Sequence, residues 1–360
     1  MNKRIQRIFE NIEQKPDAII IKNRSEPYID ENFFYVTGLN KGLFEGSIAL
    51  IYPTGDIKLL VSHLESEIAK KTNAEIIVCK KKEEYEKNLK ENLKNLNTVG
   101  MNYYKLIHTD YLYLSKILEN KFIDVSKSFI KTRTIKDEDE INNIKQACRI
   151  SDKVVEFIPD LLKDGITEND LAAEIDYLLM KNGAEKPAFD TISTFAENTA
   201  LPHFTHSEKE IEKQGFVLCD FGACYNKYNS DITRTFVYGN ITQKHKRMVE
   251  VVKEAQQVGF ETAEVGVQAN LVHKKVEEYI NNTEFKDLFI HSTGHSLGLL
   301  VHDGGVGFTP DDETILEENM VLTIEPGVYL PGFGGVRIED DVIIKKQGIE
   351  KLSKAKKIFI

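Results

Sequence analysis

The sequence predicts a mixed α/β (α+β) protein of two domains. Three observations predict it. The chain has 360 residues, and one domain typically takes roughly 100–200. Residues 1 to about 125 alternate strand and helix patterns, as a small α/β domain does. Beyond residue 134, two helices followed by a strand pair occur twice in the same order, which points to duplicated halves. The domains are therefore placed at 1–127 and 134–360.

The elements follow in order. Ile5, Ile8, Phe9 and Ile12 make one helical stripe, and DAIIIKN (17–23) reads as a buried strand. NFFYVTGL (32–39) ends in a glycine turn. GSIALIYP (46–53), IKLLVS (57–62) and AEIIVCK (74–80) are short strands bounded by Gly, Pro and Asp. KKKEEYEKNLKENLKNL is a charged amphipathic helix, and NTVGMNY is a further strand. The charged stretch KTRTIKDEDE (131–140) marks a change of pattern. A helix then carries Ile141, Ile144, Cys148, Val155 and Ile158 on one face. TENDLAAEIDYLLMKNG opens with a capping box, Thr167 with Asp170, and stops at Gly183. FVLCDFGACY (216–225) and SDITRTFVYG (230–239) pair around NKYN. From Thr242 come two more helices, TQKHKRMVEVVKEAQQVGF and VQANLVHKKVEEYINN. MVLTIEPGVYL (320–330) and GVRIEDDVII (335–344) close the second half.

Composition excludes several classes. Lys and Arg number 47 against 57 Asp and Glu, a formal net charge of −10. A negative surplus repels phosphate backbones and anionic lipid, so neither nucleic acid nor membrane is expected as a partner. No apolar run approaches the roughly 18 residues of a membrane span. MNKRIQRIFENIEQK lacks the apolar core of a signal peptide. Four cysteines make no disulfide framework, so a reducing cytoplasm is expected.

The chemistry lies in the acids of the two strand pairs. Asp220 ends an apolar run and Asp231 begins its partner strand, so the hairpin is expected to set them side by side. Glu325 and Glu339 repeat the arrangement. Glu325 lies in VLTIEP, where a bare carboxylate would cost several kcal/mol or more to bury. Such a group is paired or binds metal. Four carboxylates contribute −4, which two divalent ions balance. HSTGHSLGLLVHD (291–303) supplies an imidazole, with Gly294 and Gly298 flanking His295 for close backbone approach. Oxygen ligands with one imidazole suit Mn, Co or Zn. Two carboxylate-bridged ions are a known device for activating water. Taken singly, each acid reads more simply as a turn, cap or solvated strand end; the conjunction carries the metal reading. Cys219 and Cys224 lack a second pair for zinc and read as small core residues. His63, His108, His245 and His273 read as isolated surface residues, and His206 has no evident partner.

FGACYNKYNSDITRTF, TGHSLGLLVHD, TIEPGVYLPGFGGVRIEDD and ALPHF resemble the prolidase and aminopeptidase P family, the pita-bread metallopeptidases. The resemblance spans 134–360 strongly and the amino-terminal domain weakly. It implies a pita-bread domain behind a creatinase/prolidase-like domain, and a dinuclear site of Asp220, Asp231, His295, Glu325 and Glu339. Asp231 and Glu339 would bridge both ions, with manganese expected and cobalt or zinc as alternatives. His203 and His302 would bind substrate and assist proton transfer, and Glu325 would accept the proton of the attacking water. His291, Arg337, Phe189 and Val301 match pocket and wall positions. Proline-containing peptides are the implied substrates, and a homodimer the implied assembly. Dipeptide-specific relatives place an arginine four residues after the second histidine; here that residue is Val306. The expectation is therefore an Xaa-Pro aminopeptidase, with an Xaa-Pro dipeptidase as the second reading. A catalytically inactive binding module of the same fold is the reading from another class, and the intact ligand set counts against it.

Overall fold

The computed structural model describes residues 2–212 and 214–357. The chain divides into two compact units, Met1–Arg133 and Thr134–Ile360. Residues 128–133, left between the domains by the sequence reading, lie in a helix within the first unit.

In the first unit the elements run α1 (Asn2–Glu10), β1 (Ala18–Lys22), α2 (Glu31–Thr37), β2 (Ile48–Ile51), β3 (Ile57–Val61), α3 (Ser66–Ala69), β4 (Glu75–Val78), α4 (Lys82–Leu93), β5 (Thr98–Met101), α5 (His108–Ile117), β6 (Lys121–Asp124) and α6 (Ser126–Thr134). Among the described residues they form one sheet in the order β4-β3-β2-β1-β5-β6. β2 is antiparallel to both neighbours, while β1–β5 and β5–β6 are parallel. NFFYVTG is helical, because Asp30 caps it and left-handed Gly38 (φ 69°) ends it. α5 and β6 carry too weak a hydrophobic pattern to be read from sequence; only Asp110 and Leu114 of α5 are buried.

The second unit begins with α7 (Glu138–Leu161) and α8 (Glu168–Lys181), followed by β7 (Lys186–Pro187) and β8 (Ile192–Phe195). The first long hairpin is broken on both arms: β9 (Gln214–Phe221) and β10 (Ala223–Tyr225) return as β11 (Tyr228–Asn229) and β12 (Ile232–Gly239). α9 (Gln243–Thr262), α10 (Ala269–Asn281), β13 (Gly294–His295) and β14 (Gly307–Phe308) follow. The second hairpin is broken in the same manner into β15 (Val321–Ile324), β16 (Gly327–Leu330), β17 (Gly334–Arg337) and β18 (Asp340–Ile344), before β19 (Ile349–Lys351). The Thr167–Asp170 capping box opens α8.

Each helix pair packs on its own hairpin. Ile158, Leu171 and Ile175 pack in one cluster with Phe221, Ile232 and Phe236. Val252, Val276 and Ile280 pack in another with Val328, Val336 and Ile338. Each fully buried side chain of this size contributes about 1.5–3 kcal/mol. The duplication therefore holds in packing as well as in element order. Its functional consequence lies in the breaks, where all four hairpin acids sit at or beside the interrupted ladder.

Candidate metal centre

The register decides which acids meet. Asp220 pairs with Thr233, and beyond the break Cys224 pairs with Asn229. Continuing that register sets Asp231 opposite Gly222, diagonal to Asp220 on the same face. The expected side-by-side pairing of Asp220 and Asp231 is thus corrected to a diagonal one. Gly222 is required here, since a Cβ would lie 1.9 Å from Ser230 O. In the second hairpin Ile324 pairs with Asp340 and Gly327 with Arg337, which sets Glu325 opposite Glu339. His295 arrives on β13, whose preceding Gly294 leaves no room for a Cβ, 2.0 Å from Thr323 O.

One ligand atom each from Asp231, His295 and Glu339 lies within 4.8 Å of the others. His295 Nε2 is 3.5 Å from Asp231 Oδ2 and 3.6 Å from Glu325 Oε1. Asp220 adjoins this group by charge, and its Oδ2 accepts from Arg337 Nη2. Among the described residues Asp220 Oδ1, Asp231 Oδ1 and Glu339 Oε1 are buried without a hydrogen-bond partner. Buried polar atoms are rarely left so. Burial first, then the charges of Glu339 and Asp220, holds Asp231 well above the usual carboxylate range. Burial, then Glu325 and Asp220, does the same to Glu339. Burial pushes Glu325 up to about 8, Arg337 opposing and Asp220 adding. Each of these carboxyls therefore needs a proton or a cation. Orphaned oxygens grouped around an imidazole fit divalent metal, and these five residues could hold it.

The imidazoles of His291, His295 and His302 are held toward the neutral form. Burial, then His302, brings His295 down to about 4, while the Ser296 and Val301 carbonyls hold its ring. His302 stacks edge-on against His295 at 4.1 Å between ring centroids, and burial followed by the His203 charge lowers it. Burial, then Arg337, brings His291 down to about 3. Its Nε2 contacts the Tyr329 hydroxyl at 2.8 Å. His203 is exposed, close enough to His291 and His302 for its charge to disfavour theirs. Val301 is half-buried beside His302. Phe189 is half-buried between β7 and β8 and makes no ring contact among the described residues.

Three positioning groups went unread in the sequence. Thr233 donates to Glu339 Oε2 at 2.7 Å and accepts from Arg337 Nε at 3.1 Å. It lies two residues after Asp231, so the strand period of two was the available signal. Tyr329 accepts from Arg337 Nη1 at 2.9 Å. Asp341 accepts from the Asp231 backbone N–H at 3.0 Å and from the Cys148 thiol at 3.2 Å. The IEDD run is therefore buried, contrary to the solvated strand end that such a run usually marks. His245 and His273 are buried too, correcting their reading as surface residues. His245 closes the α9 capping box, and His273 bonds Thr293. His206 Nδ1 meets Thr191 O at 3.1 Å.

A cleft of about 260 Å³ opens beside the group, lined by His295, His302, Val306 and Asp312. The Val306 side chain also packs in an apolar cluster with Phe308, Leu316 and Met320.

Comparison with known proteins accords with this geometry. Residues 142–346 match the model of metallopeptidase family M24, and residues 3–135 match the creatinase/prolidase N-terminal domain. An Xaa-Pro dipeptidase from Pyrococcus furiosus is 40% identical over 344 residues, covering 92% of this chain and 96% of its own. The prolidase structure from Pyrococcus horikoshii superposes with a TM-score of 0.89 at 36% identity, covering 99% of this chain and 100% of that one. The X-Pro aminopeptidase from Thermotoga maritima gives a TM-score of 0.92 at 32% identity, covering 99% of each chain. The metallopeptidase reading is borne out, and membership implies divalent metal. The names of the relatives favour the dipeptidase over the aminopeptidase that Val306 had suggested. By these matches the chain belongs to metallopeptidase family M24, with its catalytic domain behind a creatinase/prolidase amino-terminal domain.

Proposed function

We propose that the chain is an Xaa-Pro dipeptidase using two divalent ions, manganese first and cobalt or zinc as alternatives. Asp220, Asp231, His295, Glu325 and Glu339 are the proposed ligands, with Asp231 and Glu339 serving both ions. The observation that carries the metal reading is the pair of buried, unpartnered oxygens on Asp231 and Glu339 gathered with His295, with that of Asp220 adjoining them. The substrate class rests on the dipeptidase relatives. When bound, the ions polarise the scissile carbonyl and make water a better nucleophile at neutral pH.

The residues divide the remaining work. The Xaa-Pro bond is a tertiary amide without N–H, so its nitrogen must gain a proton as it leaves. Glu325, whose affinity for a proton burial raises, is suited to take one from water and pass it on. His203 and His302 are suited to donate hydrogen bonds to the developing oxyanion. Arg337 offsets the charge of Asp220 and, through Thr233, orients Glu339. Neutral His291 fixes Tyr329. Val301 and Phe189 are the proposed apolar wall for the proline ring. A reducing cytoplasm accords with four buried, free cysteines.

Val306 favours a second reading, an Xaa-Pro aminopeptidase. It lines the cleft without charge, and a substrate carboxylate there would lack a partner. Hydrolysis of Gly-Pro beside Gly-Pro-Pro, with manganese and with chelator, decides between them. The dipeptidase cuts Gly-Pro preferentially; the aminopeptidase accepts Gly-Pro-Pro at least as well.

A further inference from the structure

Glu168 is the first residue of α8 and is fully buried. Its carboxylate does not cap its own helix, a task that falls to Thr167 and Asp170. It reaches instead to the segment that carries His203. Glu168 Oε1 accepts from the Phe195 backbone N–H at 2.7 Å and from Asn198 Nδ2 at 2.9 Å. Oε2 accepts from the Ser207 hydroxyl. The backbone adds two ties: Glu168 N donates to Lys209 O and Asn169 N to Ser207 O, each at 3.0 Å.

These bonds bracket residues 195–207. Inside the bracket lie a 3₁₀ turn, Ala196–Ala200, and then the exposed residues Leu201 and His203. Ala196 holds a left-handed φ of 49°, a conformation that persists for a side-chain-bearing residue only under outside restraint. The far side of the turn is held by Thr199 Oγ1, which accepts from Gly335 N at 2.7 Å. The segment is thus pinned at its ends, and its middle is held more lightly by Arg337 Nη1 on Pro202 O at 3.4 Å and Ser193 N on Thr205 O at 2.7 Å, while Leu201 and His203 stay exposed. Among the described residues no cation pairs with Glu168, and these three donors satisfy its buried carboxyl oxygens. Two oxygens meeting three donors is work that a neutral acceptor of the same shape performs only in part.

We propose that Glu168 is the positioning residue of His203: it touches no substrate, and it sets the loop that brings the His203 imidazole into the neighbourhood of His291 and His302. This role rests on the reading of His203 as a group that acts on substrate. The test uses the full chain with Glu168→Ala, Glu168→Gln, His203→Ala and the Glu168→Ala/His203→Ala pair. Hydrogen exchange is read in the metal-free protein, and turnover of Gly-Pro and metal content in the manganese form. Glu168→Ala should speed amide exchange across 195–207 at least tenfold and leave metal content unchanged. It should lower kcat/KM about as much as His203→Ala does, by about 10²-fold or more. The pair should be no slower than His203→Ala alone, because both changes remove one function. Glu168→Gln keeps one acceptor oxygen and should recover most of the rate. Multiplying effects in the pair, or unchanged exchange across 195–207, would overturn the proposal. So would a His203→Ala enzyme of undiminished rate. If Glu168→Ala does not fold, Glu168→Gln carries the test: a smaller shift of the same sign in both readouts supports the role, and no shift overturns it. Failure of the wild type to cut Gly-Pro would sink the dipeptidase reading and leave the exchange result to judge the anchoring.

Discussion

Arg337 Nη2 donates to Asp220 Oδ2 across 2.5 Å, with both side chains buried. The same guanidinium bonds Thr233 and Tyr329, so one cation links the two hairpins of the duplicated fold. Removing it strands a carboxylate. Arg337→Met should lower the stability of the metal-free protein by about 3–5 kcal/mol, the cost of breaking a buried pair. Arg337→Lys should rescue little, since an ammonium cannot reproduce the planar fork. Urea denaturation of the metal-free forms measures both. A loss below about 1 kcal/mol, the level of an exposed pair, would mean that the contact is not held in solution.

The ligand assignment makes a second prediction. Asp231→Asn and Glu339→Gln should each lose at least one ion, as read by elemental analysis of the purified protein. Full double occupancy in either variant would remove its bridging role.

Proton release is the third. Glu325 is pushed up to about 8 without a cation, so at pH 7 it is largely protonated. Metal uptake at pH 7 must displace that proton. Apparent affinity should therefore rise with pH up to about 8 and fall on the acid side. Calorimetric titration of manganese in two buffers of different ionisation enthalpy counts the protons. Identical heats in both buffers would contradict the reading of Glu325.

The histidines should separate. His295→Ala should lower metal content. His203→Ala and His302→Ala should keep the metal and slow turnover by about 10²–10⁴-fold. An equal loss of metal in either would erase the distinction between ligand and proton-handling group.

His245 gives a pH prediction away from the centre. Its Nδ1 accepts from Thr242 N in the α9 capping box, and burial, then Lys244, lowers its pKa from 6.5. The unfolded chain therefore binds more protons than the folded one, and stability rises with pH in this window. The contribution is complete above 6.5 and is lost as pH falls through the lowered folded value. His245→Gln keeps an acceptor and does not titrate, so its stability should vary less with pH below 6.5. An unchanged slope in chemical denaturation would contradict this.

The parts of the fold written in periodicity and capping were legible. The Thr167 capping box, the apolar face of α7, and the repeated order of helices and hairpins all show in the residues. The five ligand candidates were legible because their acids interrupt apolar strands. What stayed hidden depends on partners distant in sequence. Nothing local marks Asp341 as the acceptor for Asp231 N–H, or Glu168 as the anchor of a segment some thirty positions away. His245 and His273 looked like surface groups because their helices are mixed in composition, and only packing shows that they face inward. The register of the first hairpin failed for another reason. The turn is the two residues Asn226 and Lys227, both at positive φ, so Tyr225 pairs with Tyr228 and the same register carries Asp220 opposite Thr233 rather than Asp231.

The central claim is a metal-dependent Xaa-Pro dipeptidase with a two-ion site. It is tested most directly by stripping the protein of metal and following Gly-Pro hydrolysis as manganese is returned. The account predicts no turnover in the stripped protein and activity that rises to a plateau at two equivalents per chain. Turnover that survives exhaustive stripping, or no Gly-Pro cleavage at any level of manganese, cobalt or zinc, would contradict it.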